Sequence, residues 1–173
     1  MRSPAPLWEA RRVLLSGIQH VAFLTGDTKR LVDFYAEVFD ATSTALQEAT
    51  GFSVTAIWIG DTAELNVFEI DGNVEHERQV PMFGRGRVDH LALQAASIDA
   101  FSEIRDRLLA RSATDGFVTD FGPILSLFFR DPDGLECEVC VPNPDRQPGV
   151  FNPPGTPSRR YHPDDTSTPE RVR

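Results

Sequence analysis

An internal repeat constrains the fold of this chain more than any other feature. The segment 17–39 (GIQHVAFLTGDTKRLVDFYAEVF) aligns without a gap with the segment 87–109 (RVDHLALQAASIDAFSEIRDRLL). His20 falls on His90, and apolar residues coincide at nearly all of the remaining positions that are expected in a core. A unit that is repeated within one chain is normally one supersecondary element, so the repeat predicts two related structural modules.

Both copies change from the periodicity of a strand to the periodicity of a helix. Alternating apolar residues predict a first β-strand, and apolar residues at a spacing of three and four then predict a helix over 27–40 and another over 97–111. Asp27 or Thr28 and Ser97 are the candidate N-caps. Three β-prone runs follow each helix, at 42–48, 52–59 and 63–70 and at 116–121, 124–130 and 135–141. Each copy therefore has the order βαβββ.

The rest of the chain divides around these copies. We expect an N-terminal extension (1–16), a first module (17–70), a linker (71–86), a second module (87–142) and a tail (143–173). Proline is concentrated from Pro142 onward, which predicts an extended, partly disordered tail. Within it, Val150 and Phe151 could latch onto a partner subunit, or the tail could simply be mobile.

Charge and composition exclude several classes of protein. The chain has 17 basic and 26 acidic residues, for a net charge of −9, which argues against a nucleic-acid or anionic-membrane partner. No apolar run approaches the roughly 18 residues that a membrane span needs. The N-terminus lacks the apolar core of a signal peptide, and two cysteines cannot staple a chain of 173 residues. We therefore expect a cytoplasmic protein.

The candidate functional residues lie at equivalent places in the two copies. His20 and His90 are on the predicted first strands, and the predicted last strands match as well. On those last strands Glu64 and Asn66 correspond to Glu136 and Glu138, and alternation places them on the face opposite the apolar residues. The sequence aligned there reads:
AELNVFEI in the first copy and LECEVCV in the second.

Carboxylates on an inward face are costly unless they are paired or bound to a cation. His20, His90 and Glu138 would form a set of two histidines and one carboxylate, which leaves coordination positions open for water or substrate. The residue pattern therefore indicates a metal site, with structural histidines as the alternative.

The chain resembles the vicinal oxygen chelate superfamily over residues 17–142. The motifs that carry the resemblance are GIQHVAF, VDHLAL, AELNVFEI and FFRDPDGLECEV. The superfamily includes glyoxalase I, methylmalonyl-CoA epimerase, extradiol dioxygenases and the fosfomycin and bleomycin resistance proteins. The resemblance implies an α+β fold in which two tandem βαβββ modules form a curved mixed sheet around a central cavity. It also implies one divalent metal ion, and the ligand positions carried over are His20, Asn66, His90 and Glu138.

Asn66 departs from the family pattern, which usually has His, Glu or Gln at this position. An amide oxygen binds a hard cation more weakly than a carboxylate does. Asn66 could be a weak fourth ligand, water could take its place, or Glu64 could do so. The residues do not distinguish Zn, Ni, Mn, Fe and Mg, and a relic site without metal is the remaining alternative.

Two functions of different classes follow. The first is a metal-dependent enzyme acting on a small oxygenated substrate, a glyoxalase-like lyase or an isomerase or epimerase, with Glu64 or Glu136 as general base. Dioxygenase chemistry is less favoured, because family members with that activity are usually longer. The alternative is a non-catalytic binding protein resembling the bleomycin resistance proteins, in which Trp58, Phe68 and Phe128 line the cleft. Exposed sheet edges are compatible with a homodimer.

Overall fold

The computed structural model describes residue 14 and residues 17–143, which include both modules. The first module consists of β1 (His20–Thr25), α1 (Thr28–Phe39), β2 (Thr42–Ala49), β3 (Phe52–Ile59) and β4 (Ala63–Ile70). The second consists of β5 (Leu91–Gln94), α2 (Ile98–Ala110), β6 (Val118–Asp120), β7 (Ile124–Arg130) and β8 (Glu136–Pro142). A short 3₁₀ helix, Glu75–Glu77, lies between them. The predicted order of elements is confirmed, as is the α+β fold of two tandem βαβββ modules.

The described strands form two four-stranded mixed sheets of the same topology. Their orders are β1-β4-β3-β2 and β5-β8-β7-β6, with the first strand of each module parallel to the last. Ala22 pairs with Asn66 in the first sheet, and Ala92 pairs with Glu138 in the second. Asn66 and Glu138 are therefore equivalent. Both β1 and β5 lie at a sheet edge within the described residues.

Side-chain caps begin both long helices. The carboxylate of Asp27 accepts a hydrogen bond from the N–H of Arg30 (2.9 Å), and the hydroxyl of Ser97 accepts one from the N–H of Ala100 (3.1 Å). These bonds satisfy N–H groups that lack a partner within the helix. The cap of α1 is thus Asp27 and not Thr28, the other candidate.

One continuous hydrophobic core joins the two modules. It contains residues of both helices and the apolar faces of both sheets, including Leu65 and Val67 of β4 and Cys137 and Val139 of β8. Phe129 of β7 is fully buried. It packs against α1, with its ring centroid 6.2 Å from that of Phe34 and 5.4 Å from that of Phe39. The second module therefore completes the burial of the first module's helix.

Polar contacts cross the same boundary at the turn between β7 and β8. Asp133 accepts hydrogen bonds from the hydroxyl of Thr25 (2.6 Å) and from the guanidinium of Arg30 (2.6 Å). Asp131, in the same turn, is buried and accepts from the backbone N–H groups of Asp133 (3.0 Å) and Leu135 (2.9 Å). Burial raises the pKa of Asp131 to about 7.

Two aligned apolar residues are not in the core. Ile18 and Val88 are 69% and 81% exposed. They precede β1 and β5, whose hydrogen-bonded pairing begins only at His20 and Leu91, so neither of them is covered by a helix. The repeat places them correctly relative to each other, but the apolar pattern overstates their burial.

None of the described helices is long and apolar enough to span a membrane. The cytoplasmic location and the division into extension, modules, linker and tail stay predictions. Val150 and Phe151, the predicted latch, lie outside the described residues.

Candidate metal centre

His90 and Glu138 form the most closely associated pair of predicted ligands. His90 Nε2 lies 3.1 Å from Glu138 Oε2, and the other carboxylate oxygen accepts a hydrogen bond from Ser126. Phe128 packs edge-on to the imidazole, with ring centroids 5.9 Å apart. Glu138 is buried, whereas the His90 side chain keeps 28% of its surface exposed. A carboxylate oxygen and an imidazole nitrogen are thus presented together at a partly open surface.

Asp89 holds the opposite side of the His90 ring. Its Oδ2 lies 2.9 Å from His90 Nδ1, and its other oxygen accepts from the N–H of Phe83. The hydrogen bond with His90, followed by that from Phe83, holds the pKa of Asp89 below its usual range. His90 is therefore oriented by one carboxylate and directed toward another.

The equivalent residues of the first module form a second group. His20 is exposed, and its Nδ1 hydrogen-bonds to the amide oxygen of Gln19. The amide nitrogen of Gln19 donates to Glu64 Oε1 over 2.5 Å. Glu64 is 8% exposed, and no cationic side chain of the described residues forms an ion pair with it.

Asn66 lies on the same face as His20 and Glu64. Its side-chain oxygen Oδ1 is buried and has no hydrogen-bond partner among the described residues. A buried acceptor without a partner costs about 1–3 kcal/mol. A bound cation would remove that penalty, so the geometry fits a ligand position for Asn66.

The structure brings His90 together with Glu138 and places His20, Glu64 and Asn66 on one face of the first sheet. Within residues 17–143 no group of three or more His, Cys, Asp or Glu side chains could hold a metal ion. The donor types of the two groups nevertheless suit a divalent ion, since they combine imidazole, carboxylate and amide oxygen. We call the His90 group and the His20 group the two half-sites.

The aromatic side chains predicted to line a cleft have different surroundings. Trp58 is 40% exposed, and its indole N–H donates to Thr44 over 3.3 Å. Phe52 and Phe68 pack together with centroids 6.2 Å apart. Phe128, which sequence placed with them as a cleft-lining residue, is buried beside His90. Trp58 is therefore the accessible one of the three aromatic residues predicted to line a cleft.

The fold agrees with a comparison against family models. The model described as Glyoxalase/Bleomycin resistance protein/Dioxygenase superfamily matches residues 17–139. The chain belongs to this superfamily. A search of curated protein sequences finds no match. The resemblance inferred from the strand histidines and the DPDG turn is thus confirmed.

Solved structures of the glyoxalase/bleomycin resistance/dioxygenase fold are similar over about three quarters of the chain. A domain of this type from Frankia sp. EAN1pec has a TM-score of 0.62 and 21% identity, covering 76% of this chain and 96% of its own. Lactoylglutathione lyase from Agrobacterium tumefaciens has a TM-score of 0.53 and 19% identity, covering 75% and 96%. The fosfomycin resistance protein FosX from Listeria monocytogenes, solved with Mn(II) and sulfate, has a TM-score of 0.54 and 18% identity, covering 77% and 98%. At these identities the likeness establishes the fold alone.

Glu136, one of the two predicted general bases, has surroundings that the sequence did not reveal. Glu136 is fully buried and receives the guanidinium of Arg85 (Nη2 to Oε2, 2.5 Å) and the N–H of Met82 (3.2 Å). Arg130 Nη2 lies 3.8 Å from its other oxygen. Arg85 belongs to the linker, where a single arginine between glycines gives no signal of a buried partner. Glu136 is thus the anion of a buried ion pair.

Proposed function

We propose that this chain is a metal-dependent enzyme of the superfamily, a lyase or an isomerase or epimerase that acts on a small substrate with two adjacent oxygens. The observation that carries the proposal is the partly open His90–Glu138 pair, 3.1 Å apart, together with the unpartnered Oδ1 of Asn66 at the equivalent position of the other module. His20, Asn66, His90 and Glu138 would hold one divalent ion.

A complete ligand set requires two copies of the chain. His20 and Asn66 would come from one copy, and His90 and Glu138 from the other, since within residues 17–143 of one chain no three His, Cys, Asp or Glu side chains are placed to hold a metal ion. The edge strands β1 and β5 support this arrangement, since edge strands offer unpaired backbone groups to a neighbour. Ile18 and Val88, both exposed beside those edges, would be covered at the same time.

The two carboxylates proposed as general bases have different surroundings. Glu136 is neutralised by Arg85, so it is poorly placed to take a proton. Among residues 17–143 Glu64 accepts from a neutral amide donor, and it shares a face with His20 and Asn66. Glu64 is therefore our choice as the base that removes a proton from the carbon next to a substrate carbonyl. A divalent cation in the site would supply Lewis acidity toward that carbonyl.

The metal is tested first with the untagged wild-type protein. We expect it to bind Mn²⁺ in a calorimetric titration, and Glu138→Gln to weaken binding by at least tenfold, because the change removes the charge and keeps the size. Glu77→Gln is the matched control, since Glu77 is an exposed residue of the linker. Equal affinity in the wild type and Glu138→Gln would refute the role of Glu138.

Sharing of the site between copies is tested by mixing two variants that each bind Mn²⁺ more weakly than the wild type. His20→Ala and Glu138→Gln each damage every site of their own dimer. In a refolded equimolar mixture, half of the dimers are mixed and each carries one intact site, so about a quarter of all sites should bind Mn²⁺ at wild-type affinity. No recovery at all would show that the ligands are not exchanged between copies.

A binding protein without catalysis is the second candidate. The accessible indole of Trp58 and the Phe52–Phe68 pair favour it, because such surfaces hold flat apolar ligands by stacking. This candidate predicts that Trp58→Ala abolishes ligand binding while Glu138→Gln leaves it unchanged. If the chain is a metal-dependent enzyme, Glu138→Gln should weaken ligand binding more than Trp58→Ala does.

A further inference from the structure

Each candidate histidine ligand follows a residue whose side chain contacts its Nδ1. Gln19 precedes His20, and Asp89 precedes His90, at the same position of the repeat. The amide oxygen of Gln19 and the carboxylate of Asp89 both lie within hydrogen-bond distance of Nδ1. In both histidines Nε2 is on the opposite side of the ring. The contact between Nδ1 and the preceding side chain is thus the same in both modules, but that side chain is neutral in the first module and negatively charged in the second.

The surroundings of Glu64 explain why the first of these residues is an amide. Gln19 makes two contacts at once, since its oxygen accepts from His20 while its nitrogen donates to Glu64 over 2.5 Å. Glu64 is buried and has no ion-pair partner among the described residues. A carboxylate at position 19 would place two negative groups in contact, whereas an amide satisfies both neighbours.

The surroundings of Glu136 explain why the second can be a carboxylate. Glu136 occupies the place that corresponds to Glu64, but Arg85 neutralises it over 2.5 Å. The same guanidinium donates to the backbone oxygen of Asp89 over 2.9 Å. Because Arg85 already binds Glu136, the residue at position 89 does not have to donate a hydrogen bond to that carboxylate. Asp89 can therefore use its own two oxygens to accept from Phe83 and His90.

From this arrangement we propose that Gln19 and Asp89 are positioning residues of unequal strength, which hold the two histidines by Nδ1 and present Nε2 to the metal. The inference rests on the proposed metal site and adds to it a difference between the half-sites. A carboxylate that accepts from Nδ1–H forms a charge-assisted hydrogen bond, which fixes the tautomer and orientation of the imidazole more firmly than a bond to a neutral amide does. His90 would accordingly be the stronger histidine ligand, and His20 the weaker.

The first test needs no metal. In two-bond ¹H–¹⁵N spectra of the metal-free protein at about pH 8.5, above the ordinary histidine pKa, His20 should carry its proton on Nδ1. Gln19→Met keeps the length of the side chain but loses both hydrogen bonds, so it should release His20 into a mixture of tautomers and leave His90 unchanged. A wild-type His20 with its proton on Nε2 would overturn the proposal.

His90 needs a different variant because it lies between two carboxylates. With Asp89 present, Nδ1 donates to Asp89. In Asp89→Asn the acceptor loses its charge, and donation from Nε2 to Glu138 should become the preferred form. The His90 resonances should therefore shift toward the Nε2–H form, while those of His20 stay as they are. No change in the His90 tautomer would overturn the role of Asp89.

The second test measures Mn²⁺ affinity. We expect Asp89→Asn to weaken binding by about 10- to 100-fold, the usual effect of losing an outer partner of a histidine ligand, and Gln19→Met to weaken it less. Asp106→Asn is the matched control, because Asp106 is 77% exposed on α2. Affinity unchanged in both test variants, or a larger loss in Gln19→Met, would contradict the unequal roles. A wild type that binds no Mn²⁺ but shows the expected tautomers would refute the metal site and support the positioning.

Discussion

Asn66 is the single residue whose surroundings support a metal site most directly. Its buried Oδ1 lacks a hydrogen-bond partner, although the residue sits on a strand whose neighbours are well packed. Its position opposite Ala22, and equivalent to Glu138, follows from the register of the two sheets. A polar residue with an unpaired buried atom is an exception that needs an explanation, and a cation provides one.

The first prediction at this scale replaces Asn66. Asn66→His should tighten Zn²⁺ binding by about tenfold, or ~1.4 kcal/mol, because imidazole is a stronger ligand for zinc than an amide oxygen. Asn66→Ala should loosen it only slightly, since the amide is a weak ligand. Calorimetric titration of the three proteins decides the matter. A histidine variant no tighter than the wild type would place Asn66 away from the metal.

The second prediction concerns Asp131 and pH. Its pKa is raised to about 7 in the folded protein by burial, against an ordinary value near 3.8. The folded state therefore keeps a proton that the unfolded state loses. This contribution to stability is fully present below about pH 4 and is lost as the pH rises toward 7. Replacement by Asn, whose oxygen can still accept from Leu135 and Asp133, should remove the dependence.

The measurement is the free energy of unfolding of wild type and Asp131→Asn by denaturant at several pH values. Between about pH 4 and 7 the difference in slope should approach ~1.4 kcal/mol per pH unit. Asp106→Asn, in which the replaced carboxylate is exposed, should leave the slope almost unchanged. Parallel curves for the wild type and Asp131→Asn would mean that Asp131 is ionised throughout this range.

At the scale of elements, the linker is held to the second sheet by a buried ion pair. The Arg85 side chain is only 10% exposed, and that of Glu136 is fully buried. We expect Arg85→Met to lower the free energy of unfolding by about 3–5 kcal/mol, because it removes the closer of the two guanidinium groups beside a buried carboxylate. Arg78→Met should cost less than about 1 kcal/mol, since the Arg78–Glu75 pair is exposed.

A double variant separates the charge from the packing. In Arg85→Met with Glu136→Gln, the buried negative charge is gone, so much of the stability lost in Arg85→Met should return. Chemical denaturation of the two single variants and the double variant gives the coupling energy directly. Additive losses in the double variant would show that Arg85 stabilises the linker without its ion pair with Glu136.

Secondary structure could be predicted closely from the sequence, whereas these tertiary contacts could not. Strands 52–59, 63–70 and 124–130 have the predicted bounds, because alternation and helical spacing are local signals. The repeat singles out the candidate ligands because it shows chemically similar residues at equivalent positions of both copies, and their binding of a metal stays a prediction. Arg85 carries no such signal, since its partner is 51 residues away and is chosen by the path of the linker.

At the scale of the whole molecule, the chain has two modules but one core. The repeat predicts the modules correctly, and it contains no information on how they face each other. That is determined by nonlocal contacts, such as the packing of Phe129 on α1 and the bonds from Thr25 and Arg30 to Asp133. The shared core is built from the apolar residues of both sheets, which alternate along β4 and β8 with the polar residues of the half-sites.

The last prediction follows from that shared core. Phe129 belongs to the second module, yet its ring packs on Phe34 and Phe39 of the first. Phe129→Ala should therefore lower the stability of the whole molecule by about 3–5 kcal/mol, the usual cost of a large buried cavity. In calorimetry, wild type and variant should each show one transition, with equal calorimetric and van't Hoff enthalpies. Phe83→Ala, at a residue 80% exposed, should shift it little. Two separate transitions, of which only one moves in Phe129→Ala, would show that the modules fold independently.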